Sequence, residues 1–576
     1  MTDLKFSEEV RQKAIDRLAL LLSEDDLRTI VSRLSNKRSG KSVEWLVSSA
    51  ENGPGKIRLQ DSELAPFLID CLHTELLQNP SVRYALLDAA DRNIVDNLLE
   101  LARNDGGGEG YEANLRTLAQ KQWRPGRGWA SAFAREFGFP NVFAGIPGEP
   151  QEPAFFEVSP FKPLNDLQDF QQRLVDEITD VLQAGAGANR AILNLPTGAG
   201  KTRTAVEALV RWKLSAGKDS GVLWIAQSEE LCEQAVRAFQ EVWIDQGHRK
   251  TTYSAVTIQR LWGSNKLDLE AADITVASIQ KLHTILLSAR SGVLKKLAAG
   301  IGVVVVDEAH RMESASYRGV LYFLGIDIKW NERSAIPLIG LTATPYRTVS
   351  EQARKLAQRF HRRILRPSFL GDDYFEVLRE RGVLSRPIHR ILSHESGSII
   401  DAGSRNDEYM ERFGDFSPDV VSELGEDPVR NALLLRELCS IGEDASVLFF
   451  GCSVEHAEAM AVLLRRRGRS AAAISANTAT ATRRFLIEEF RAKRIQYLCN
   501  YQVLTTGFDA PKVDVVVISR PTASPVLYEQ MIGRGMRGPL FGGTANCIVI
   551  DVEDNLTHRE RLAFRLYDTY WRDDAT

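Results

Sequence analysis

The segment LPTGAGKT, residues 195–202, decides the fold of this 576-residue chain. It follows a short apolar run, AILNL, and precedes an amphipathic helical pattern, RTAVEALVRW. That context is the one a phosphate-binding loop requires, because Gly198 and Gly200 let consecutive backbone N–H groups face phosphate oxygens at the positive end of a helix. Lys201 would then reach the β and γ phosphates of ATP, and the Thr202 hydroxyl would ligate Mg²⁺.

A second motif supplies a pair of carboxylates. The run VVVVDEAHR places Asp307 and Glu308 at the end of an apolar strand, and ligands of open α/β sheets bind at the carboxyl edge. There Asp307 can hold Mg²⁺, and Glu308 can orient and deprotonate an attacking water. Each motif has a plain alternative: a glycine-containing turn, with Leu195 standing where the generic pattern has glycine, and a solvated strand end. Both motifs together favour a site for ATP and Mg²⁺.

The pattern of the chain changes near residue 164. Before it, apolar residues recur at helical spacing, and the proline-rich stretch 146–163 is typical of a stiff extended linker. After it, short β-branched runs alternate with amphipathic segments, as in parallel βαβ sheets. Ten strands are predicted, in two series: Ala191–Leu195, Val222–Ala226, Ile274–Ala277, Val303–Asp307 and Leu338–Ala343, then Val447–Gly451, Ala472–Ser475, Tyr497–Asn500, Val513–Ser519 and Cys547–Asp551.

These series predict an α/β protein with two doubly wound parallel-sheet domains, preceded by an α-helical N-terminal domain. The predicted units are a helical accessory domain over 1–145, a linker over 146–163, an ATP-binding domain over 164–366, a connector over 367–440, a C-terminal domain over 441–555 and a tail over 556–576.

Composition excludes several classes of protein. The formal net charge is −4, whereas a protein that coats DNA by bulk electrostatics is basic, so any nucleic-acid contact is expected in a local groove. The longest apolar run, Leu297–Val306, is about half the ~20 residues of a membrane span, and the N-terminus lacks the apolar stretch of a secretory signal. Six scattered cysteines without a CxxC pair argue against a zinc or iron–sulfur site and predict a cytoplasmic protein.

The order of the motifs between residues 164 and 551 resembles that of superfamily 2 helicases, which carry two tandem RecA-like domains. The segment LQDFQ resembles their adenine-reading Q-type motif, with Gln171 as the base contact. Further segments resemble helicase motifs Ia, Ib, III, IV, V and VI in that order: WIAQSEELCEQA (224–235), VASIQKL (276–282), LTATPYR (341–347), FFGCSVEHAE (449–458), LTTGFDAP (504–511) and YEQMIGRGMRG (528–538).

Motif VI carries two arginines, Arg534 and Arg537, that lie three residues apart on a predicted helix and so share a face. That helix can approach a nucleotide held by the first domain only when the two domains close. Arginines supplied in this way stabilise the charge of phosphoryl transfer and accelerate other NTPases by about 10³–10⁵-fold. We therefore predict Arg534 and Arg537 as catalytic residues beside Lys201 and Glu308. The resemblance implies these nucleotide-binding residues: Gln171, Thr197, Gly198, Gly200, Lys201, Thr202, Gly507 and Asp509.

The resemblance also implies that motifs Ia, Ib, IV and V hold a phosphate backbone across the top of both domains. Hydroxyls and helix N-termini are suitable phosphate donors and carry no sequence information. The alternative is that these hydroxyls merely cap helices. The matching positions are Ser278, Gln280, Ser453, Thr505 and Thr506.

Within superfamily 2, the sequence around motif VI looks most like the DEAH helicases related to type I and type III restriction motors and to XPB-type repair helicases. The chain shows no PD…ExK nuclease pattern, so cutting of DNA would need a partner. The arrangement also resembles helicases of bacterial phage-defence loci, which implies an antiviral context and a nuclease or defence-system subunit bound through the N-terminal domain.

The segment 121–145 interleaves Lys121, Arg124, Arg127 and Arg135 with aromatic residues. Exposed aromatics could stack on bases. Residues 1–150 nevertheless hold 19 Lys and Arg against 22 Asp and Glu, and we favour the interpretation in which the aromatics seal the helical domain against the motor.

Three functions remain open from the sequence. A DNA helicase or translocase is favoured over an RNA remodelling enzyme, because the core is not of the DEAD type and lacks a large C-terminal accessory domain. A nucleic-acid sensor, in which ATP turnover switches conformation and recruits a partner without unwinding, is the third.

Overall fold

The computed structural model describes residues 8–35, 43–52, 59–102, 110–145, 155–158, 164–185, 187–216, 220–265, 272–288, 291–326, 334–343, 350–371, 373–393, 406, 408–410, 412, 414–504 and 512–553. The predicted tail, 556–576, lies outside these residues.

The first sheet has the strand order β1-β4-β5-β3-β6-β7-β2-β8. Its strands pair in parallel, except that β1 runs antiparallel to β4 at one edge. The strands are β1 (Phe155–Val158), β2 (Arg190–Asn194), β3 (Gly221–Ala226), β4 (Val256–Leu261), β5 (Ile274–Ser278), β6 (Ile301–Val306), β7 (Leu338–Thr342) and β8 (Ile364–Leu365). Strands β2, β3, β6 and β7 are almost wholly buried, which is why their sequences are continuous apolar runs.

The second sheet has the order β11-β12-β10-β13-β14-β9 and is parallel throughout. Its strands are β9 (Arg386–Ser393), β10 (Val447–Phe450), β11 (Ala471–Ile474), β12 (Tyr497–Asn500), β13 (Val515–Ile518) and β14 (Asn546–Glu553). Two parallel sheets with helical crossovers confirm the predicted tandem RecA-like architecture, and the helical N-terminal region is present.

The helices of the N-terminal region are α1 (Glu8–Leu21), α2 (Glu24–Ser35), α3 (Val43–Asn52), α4 (Asp61–Leu72), α5 (Pro80–Asp88), α6 (Arg92–Ala102), α7 (Tyr111–Gln120) and α8 (Gly128–Glu136). Those that follow are α9 (Asp169–Gln183), α10 (Lys201–Ala216), α11 (Glu229–His248), α12 (Ile279–Leu287), α13 (Ser291–Gly300), α14 (Ala315–Phe323), α15 (Ser350–Arg359), α16 (Tyr374–Glu380), α17 (Pro418–Gly425), α18 (Pro428–Ser440), α19 (Val454–Arg466), α20 (Thr480–Arg491) and α21 (Pro525–Ile532).

All ten predicted strands are present, with ends displaced by a few residues at most. Four further strands, β1, β4, β8 and β9, were not predicted. Strand β1 lies in the proline-rich stretch predicted as a linker, and β9 lies in the stretch predicted as a connector. Both occupy edges, where one side of the strand faces away from the sheet and the apolar signal is weak. Parts of the predicted linker and connector therefore belong to the first and second sheets.

The N-terminal helices pack on the second domain, although the first domain follows them in sequence. One apolar core contains residues of α1 to α8 together with residues of α18, α19 and β10. Helix α19 packs directly against α3 and α4. At its end, Arg465 donates to the carbonyl of Asp70, and Arg466 forms an ion pair of 2.8 Å with Glu63. The N-terminal region and the second domain thus share one core.

The aromatic residues of segment 121–145 pack in the apolar core to which the N-terminal helices contribute. Phe133 and Phe137 are fully buried, so they cannot stack on bases. Trp123 meets Phe133 edge to face with ring centroids 5.8 Å apart, and Trp129 lies 5.8 Å from the same ring. The structural interpretation of these rings is therefore the better one, but they stabilise the helical region itself.

The part of the chain that the structure describes contains no helix long and apolar enough to cross a bilayer.

The shared core predicts that residues 1–145 stay bound when the chain is cut. A protease site introduced between residues 146 and 154 and then cleaved should yield two pieces that co-elute in gel filtration at moderate salt, because separation would expose the apolar faces of α3, α4 and α19. Two separately eluting, folded pieces would contradict the shared core.

Candidate functional site

The phosphate-binding loop connects β2 to α10 at the carboxyl edge of the first sheet. Gly198 and Gly200 adopt φ values of 90° and 81°, which favour glycine, and α10 begins at Lys201. Asn194, the last residue of β2, donates its amide to the carbonyls of Thr342 and Ala343 at 3.2 and 2.7 Å. The loop is thereby tied to the end of β7, the neighbouring strand.

The carboxylate pair follows β6, which lies between β3 and β7. Asp307 and Glu308 are both buried, and the backbone N–H of Glu308 donates to Asp307 Oδ1 at 2.9 Å. Glu308 is held at φ 51°, a left-handed conformation that costs of order 1–3 kcal/mol in a non-glycine residue. Such strain is characteristic of functional sites, and here it sets the direction of the second carboxylate.

The surroundings of this pair shift the pKa values of the two carboxylates in opposite directions. Burial, together with the neighbouring Glu308 carboxylate, raises the pKa of Asp307 to about 7. Burial also acts to raise the pKa of Glu308, but His310, Lys201 and Arg534 outweigh it, and the net shift is downward. Lys201 of the first domain and Arg534 of the second thus both favour the ionised form of Glu308.

His310 connects the carboxylates to the second domain. Its Nδ1 lies 3.3 Å from Glu308 Oε2 and 3.2 Å from the Thr342 hydroxyl at the end of β7. Its Nε2 lies 3.5 Å from the side-chain amide of Gln530, which belongs to α21. One imidazole therefore contacts Glu308, the adjoining strand and the facing domain.

The second domain touches the phosphate-binding loop directly. A Cβ added at Gly533 would lie 2.6 Å from Thr197 Cβ, and one added at Gly198 would lie 3.2 Å from the Arg537 Cα. Both surfaces of this contact consist of backbone and small atoms. The loop that follows α21 thus packs onto the residues predicted to hold phosphate.

The prediction that Arg534 and Arg537 lie on one helix is wrong. Helix α21 ends at Ile532, Arg534 lies in the turn that follows, and Arg537 forms an isolated bridge with Leu384. The physical reason is the low helix propensity of glycine, which recurs at positions 533, 535 and 538 of this stretch. The loop nevertheless brings Arg534 near the carboxylate pair, where its charge acts to lower the pKa of both groups.

Gln171 lies against the phosphate-binding loop. It is buried in the first turn of α9, where its Oε1 accepts from the Gln168 N–H at 3.0 Å and its Nε2 donates to the Ala199 carbonyl at 3.3 Å. A Cβ at Gly200 would overlap the Gln171 amide. The side chain predicted to contact adenine thus bridges a helix N-terminus and the phosphate loop.

Three of the predicted nucleic-acid residues, Ser278, Gln280 and Ser453, lie at the carboxyl edges of the sheets, and two of them cap helices. Ser278 Oγ accepts from the Lys281 N–H at 3.2 Å, and Ser453 Oγ accepts from the His456 N–H at 3.0 Å. The exposed side chain of Gln280 donates to the carbonyl of Gln227 at 2.8 Å. Gln227 is the residue directly after β3. The remaining predicted residues of motif V lie outside the described residues: Thr505, Thr506, Gly507 and Asp509.

The residues present fit a magnesium nucleotide. No group of three or more His, Cys, Asp or Glu side chains suited to a metal occurs in the described part of the chain, so no all-protein metal cage is found there. Mg²⁺ in phosphoryl-transfer sites needs only one or two protein oxygens, with phosphates and waters completing its shell. Two groups meet that need, the buried Asp307 carboxylate and the Thr202 hydroxyl. The glycines of the adjacent phosphate-binding loop leave its backbone N–H groups accessible to phosphate.

Family models match both domains. Residues 165–347 match the family described as "Type III restriction enzyme, res subunit", and residues 430–538 match the "Helicase conserved C-terminal domain". The chain belongs to the superfamily 2 helicases of this restriction-motor type, the family of ATP-hydrolysing helicases that its sequence resembles.

Relatives of this kind occur in yeast and bacteria. The Saccharomyces cerevisiae protein "Putative ATP-dependent helicase IRC3" is 24% identical over 67% of this chain and 51% of its own length. The Escherichia coli K12 "Type I restriction enzyme EcoKI endonuclease subunit" is 26% identical over 61% of this chain and 31% of its own length. The chain thus spans about half and about a third of these relatives. The solved structure of S. cerevisiae Dbp5 bound to RNA and ADP BeF3 aligns with a TM-score of 0.44 and 18% identity, over 71% of this chain and 92% of that one.

An ion pair across the two domains was missed by sequence reasoning. Arg483 in α20 lies 2.7 Å from Glu230 in the first turn of α11, the helix of motif Ia. Nothing in the sequence signals this pair, because the two residues are distant in the chain and both belong to ordinary charged helix faces. It closes the cleft between the domains at a second point.

The contact between Gly533 and Thr197 predicts a specific defect. Gly533→Ala should slow turnover by about 5- to 150-fold and weaken ATP binding less than that, because an added methyl in a packed contact costs about 1–3 kcal/mol and here opposes closure. Gly442→Ala is the matched control, since a Cβ there meets nothing within 4 Å. Steady-state ATPase and nucleotide-binding measurements compare the two variants, and equal turnover would refute the contact.

Proposed function

We propose that the protein is an ATP-driven motor that moves along or unwinds DNA, using ATP hydrolysis in the cleft between its two sheets. The observation that supports this most directly is the contact of the loop after α21 with the phosphate-binding loop, since a nucleotide bound there would lie within reach of groups from both domains. Closure of the domains then depends on the nucleotide, and its hydrolysis releases them.

The proposed roles follow the geometry. Lys201, Thr197 and the loop glycines bind the phosphates, Gln171 reads adenine, and Thr202 and Asp307 hold Mg²⁺, which supplies charge neutralisation at the phosphates. Glu308, ionised and aimed by its strained backbone, orients water and accepts its proton. Arg534 and Arg537 stabilise the transition state from the second domain. His310 transmits the state of Glu308 to Gln530. Gly507 and Asp509 complete the nucleotide site from motif V.

The nucleic-acid strand is proposed to cross the carboxyl edges of both sheets, where Ser278, Gln280 and Ser453 lie, with Thr505 and Thr506 of motif V. DNA is the favoured substrate because the matching family and the E. coli relative bear the names of restriction enzymes. We further propose a motor role in a restriction-type or phage-defence system, with cleavage supplied by a partner nuclease bound at the N-terminal region. The six free cysteines suit a reducing compartment such as the cytoplasm.

The decisive experiment is the ATPase rate with a panel of single- and double-stranded DNA and RNA. DNA should stimulate turnover, and the stimulation should weaken steeply with salt because phosphate contacts release counterions. Strand-displacement and translocation assays with the same substrates separate a motor from a sensor. Stimulation by RNA alone, or turnover without any movement, would reject the DNA motor.

Two variants, assayed with the same panel, test the roles proposed for Lys201 and Glu308. Lys201→Ala should abolish turnover because phosphate charge is no longer neutralised. Glu308→Gln should abolish turnover but retain ATP, and with it the closed state. Hydrolysis at the normal rate by Glu308→Gln would show that this residue does not activate water.

A further inference from the structure

A basic loop of the N-terminal region has no role in the ATP site. Residues 121–127, between α7 and α8, contain Lys121, Arg124 and Arg127 and no acidic residue, whereas residues 1–150 as a whole carry a net charge of −3. The side chains of Arg124 and Arg127 are exposed. Positive charge is thus concentrated in one loop of an acidic region.

The same loop lines a cleft of about 290 Å³, formed by Trp123, Arg124, Pro125 and Arg127. The backbone of the loop is fixed from behind. The Trp123 indole and the Gly126 N–H both donate to the carbonyl of Ala144, at 3.1 and 3.0 Å. The buried guanidinium of Arg83 lies 5.1 Å from the centre of the Trp123 ring. The loop backbone that carries the two arginines is therefore held in place by these contacts.

A chain of contacts leads from this loop to the edge of the second sheet. A Cβ at Gly145 would lie 2.9 Å from Pro125 and 3.1 Å from the Gln78 amide, so Gly145 lies between the loop and the end of the short 3₁₀ helix His73–Gln78. From that helix, Glu75 bonds the hydroxyl of Thr482, in the first turn of α20.

The next residue of α20 continues the connection to the first domain. Arg483 forms the 2.7 Å ion pair with Glu230, at the N-terminus of α11. Helices α11 and α20 both begin after the carboxyl ends of strands, β3 and β11. The basic loop is thus linked, through two short steps, to the edge proposed to carry nucleic acid.

We infer that the loop 121–127 is a second nucleic-acid contact, in which Arg124 and Arg127 bind the phosphates of a strand that extends beyond the two sheets. Phosphate contacts of this kind position a strand and do not read its sequence. The loop belongs to the unit formed by the N-terminal region and the second domain. The phosphates that it binds therefore move with that domain when the cleft between the two sheets opens and closes. The inference rests on the proposed function.

Charge-reversal variants test this contact. The double variant Arg124→Glu/Arg127→Glu is compared with the double variant Arg33→Glu/Arg135→Glu. The second reverses two exposed charges in the same region that do not line the cleft at residues 123–127. Binding of a fluorescent DNA strand is measured by anisotropy at several salt concentrations, and ATP hydrolysis is measured without nucleic acid.

The Arg124→Glu/Arg127→Glu variant should bind DNA more weakly than the control variant. Its slope of log affinity against log salt should be smaller in magnitude by about 1.4 to 1.8, because two phosphate contacts are lost. Its ATPase rate without DNA should equal that of the wild type. Equal affinity and slope in both variants would overturn the inference and leave the motor intact. Failure of the wild type to bind any nucleic acid would instead reject the proposed function.

Discussion

The contact between the phosphate-binding loop and the turn after α21 is the constraint on which the rest of the structure depends. Gly533 lies against Thr197, and Gly198 lies against the Arg537 backbone, with no side chain on either glycine to hold the surfaces apart, so the two domains meet at the proposed nucleotide site itself. Because β2, β6 and β7 are adjacent and parallel, their carboxyl ends place this loop, Asp307 and Thr342 at one edge. His310 then spans from that edge to Gln530. Under the proposed function, closure of the cleft and assembly of the site are therefore one event.

The N-terminal region gives this closure a second consequence. Its helices share a core with α18, α19 and β10, so it adds mass and surface to the second domain. Any partner or strand held by the region is carried through the same displacement as Arg534. The charged connections of Arg465 and Arg466 fix its orientation, and the pair of Arg483 with Glu230 lies where this composite body faces the first domain. A region distant in sequence from the second domain thus packs as part of it.

Sequence reasoning succeeded where the signal is local. Buried parallel strands need continuous apolar runs, so β6 and β13 could be predicted, and the family membership follows from motifs of consecutive residues. It failed for edge strands such as β9, and for the turn that carries Arg534, where helical spacing was assumed although Gly533, Gly535 and Gly538 signal a helix end. Packing of the N-terminal helices on α19 and the bridging position of His310 depend on tertiary contacts that one sequence does not encode visibly.

We propose that Arg534 acts across the cleft on the transition state. Arg534→Ala should therefore lower the single-turnover rate of ATP hydrolysis by about 10³-fold or more while the Kd for ATP changes little, because a closing arginine contributes mainly after binding. The two quantities are measured on the same preparation, by rapid quench and by equilibrium binding of a fluorescent ATP analogue. A loss of affinity equal to the loss of rate would show that Arg534 is a ground-state phosphate contact and would contradict the account.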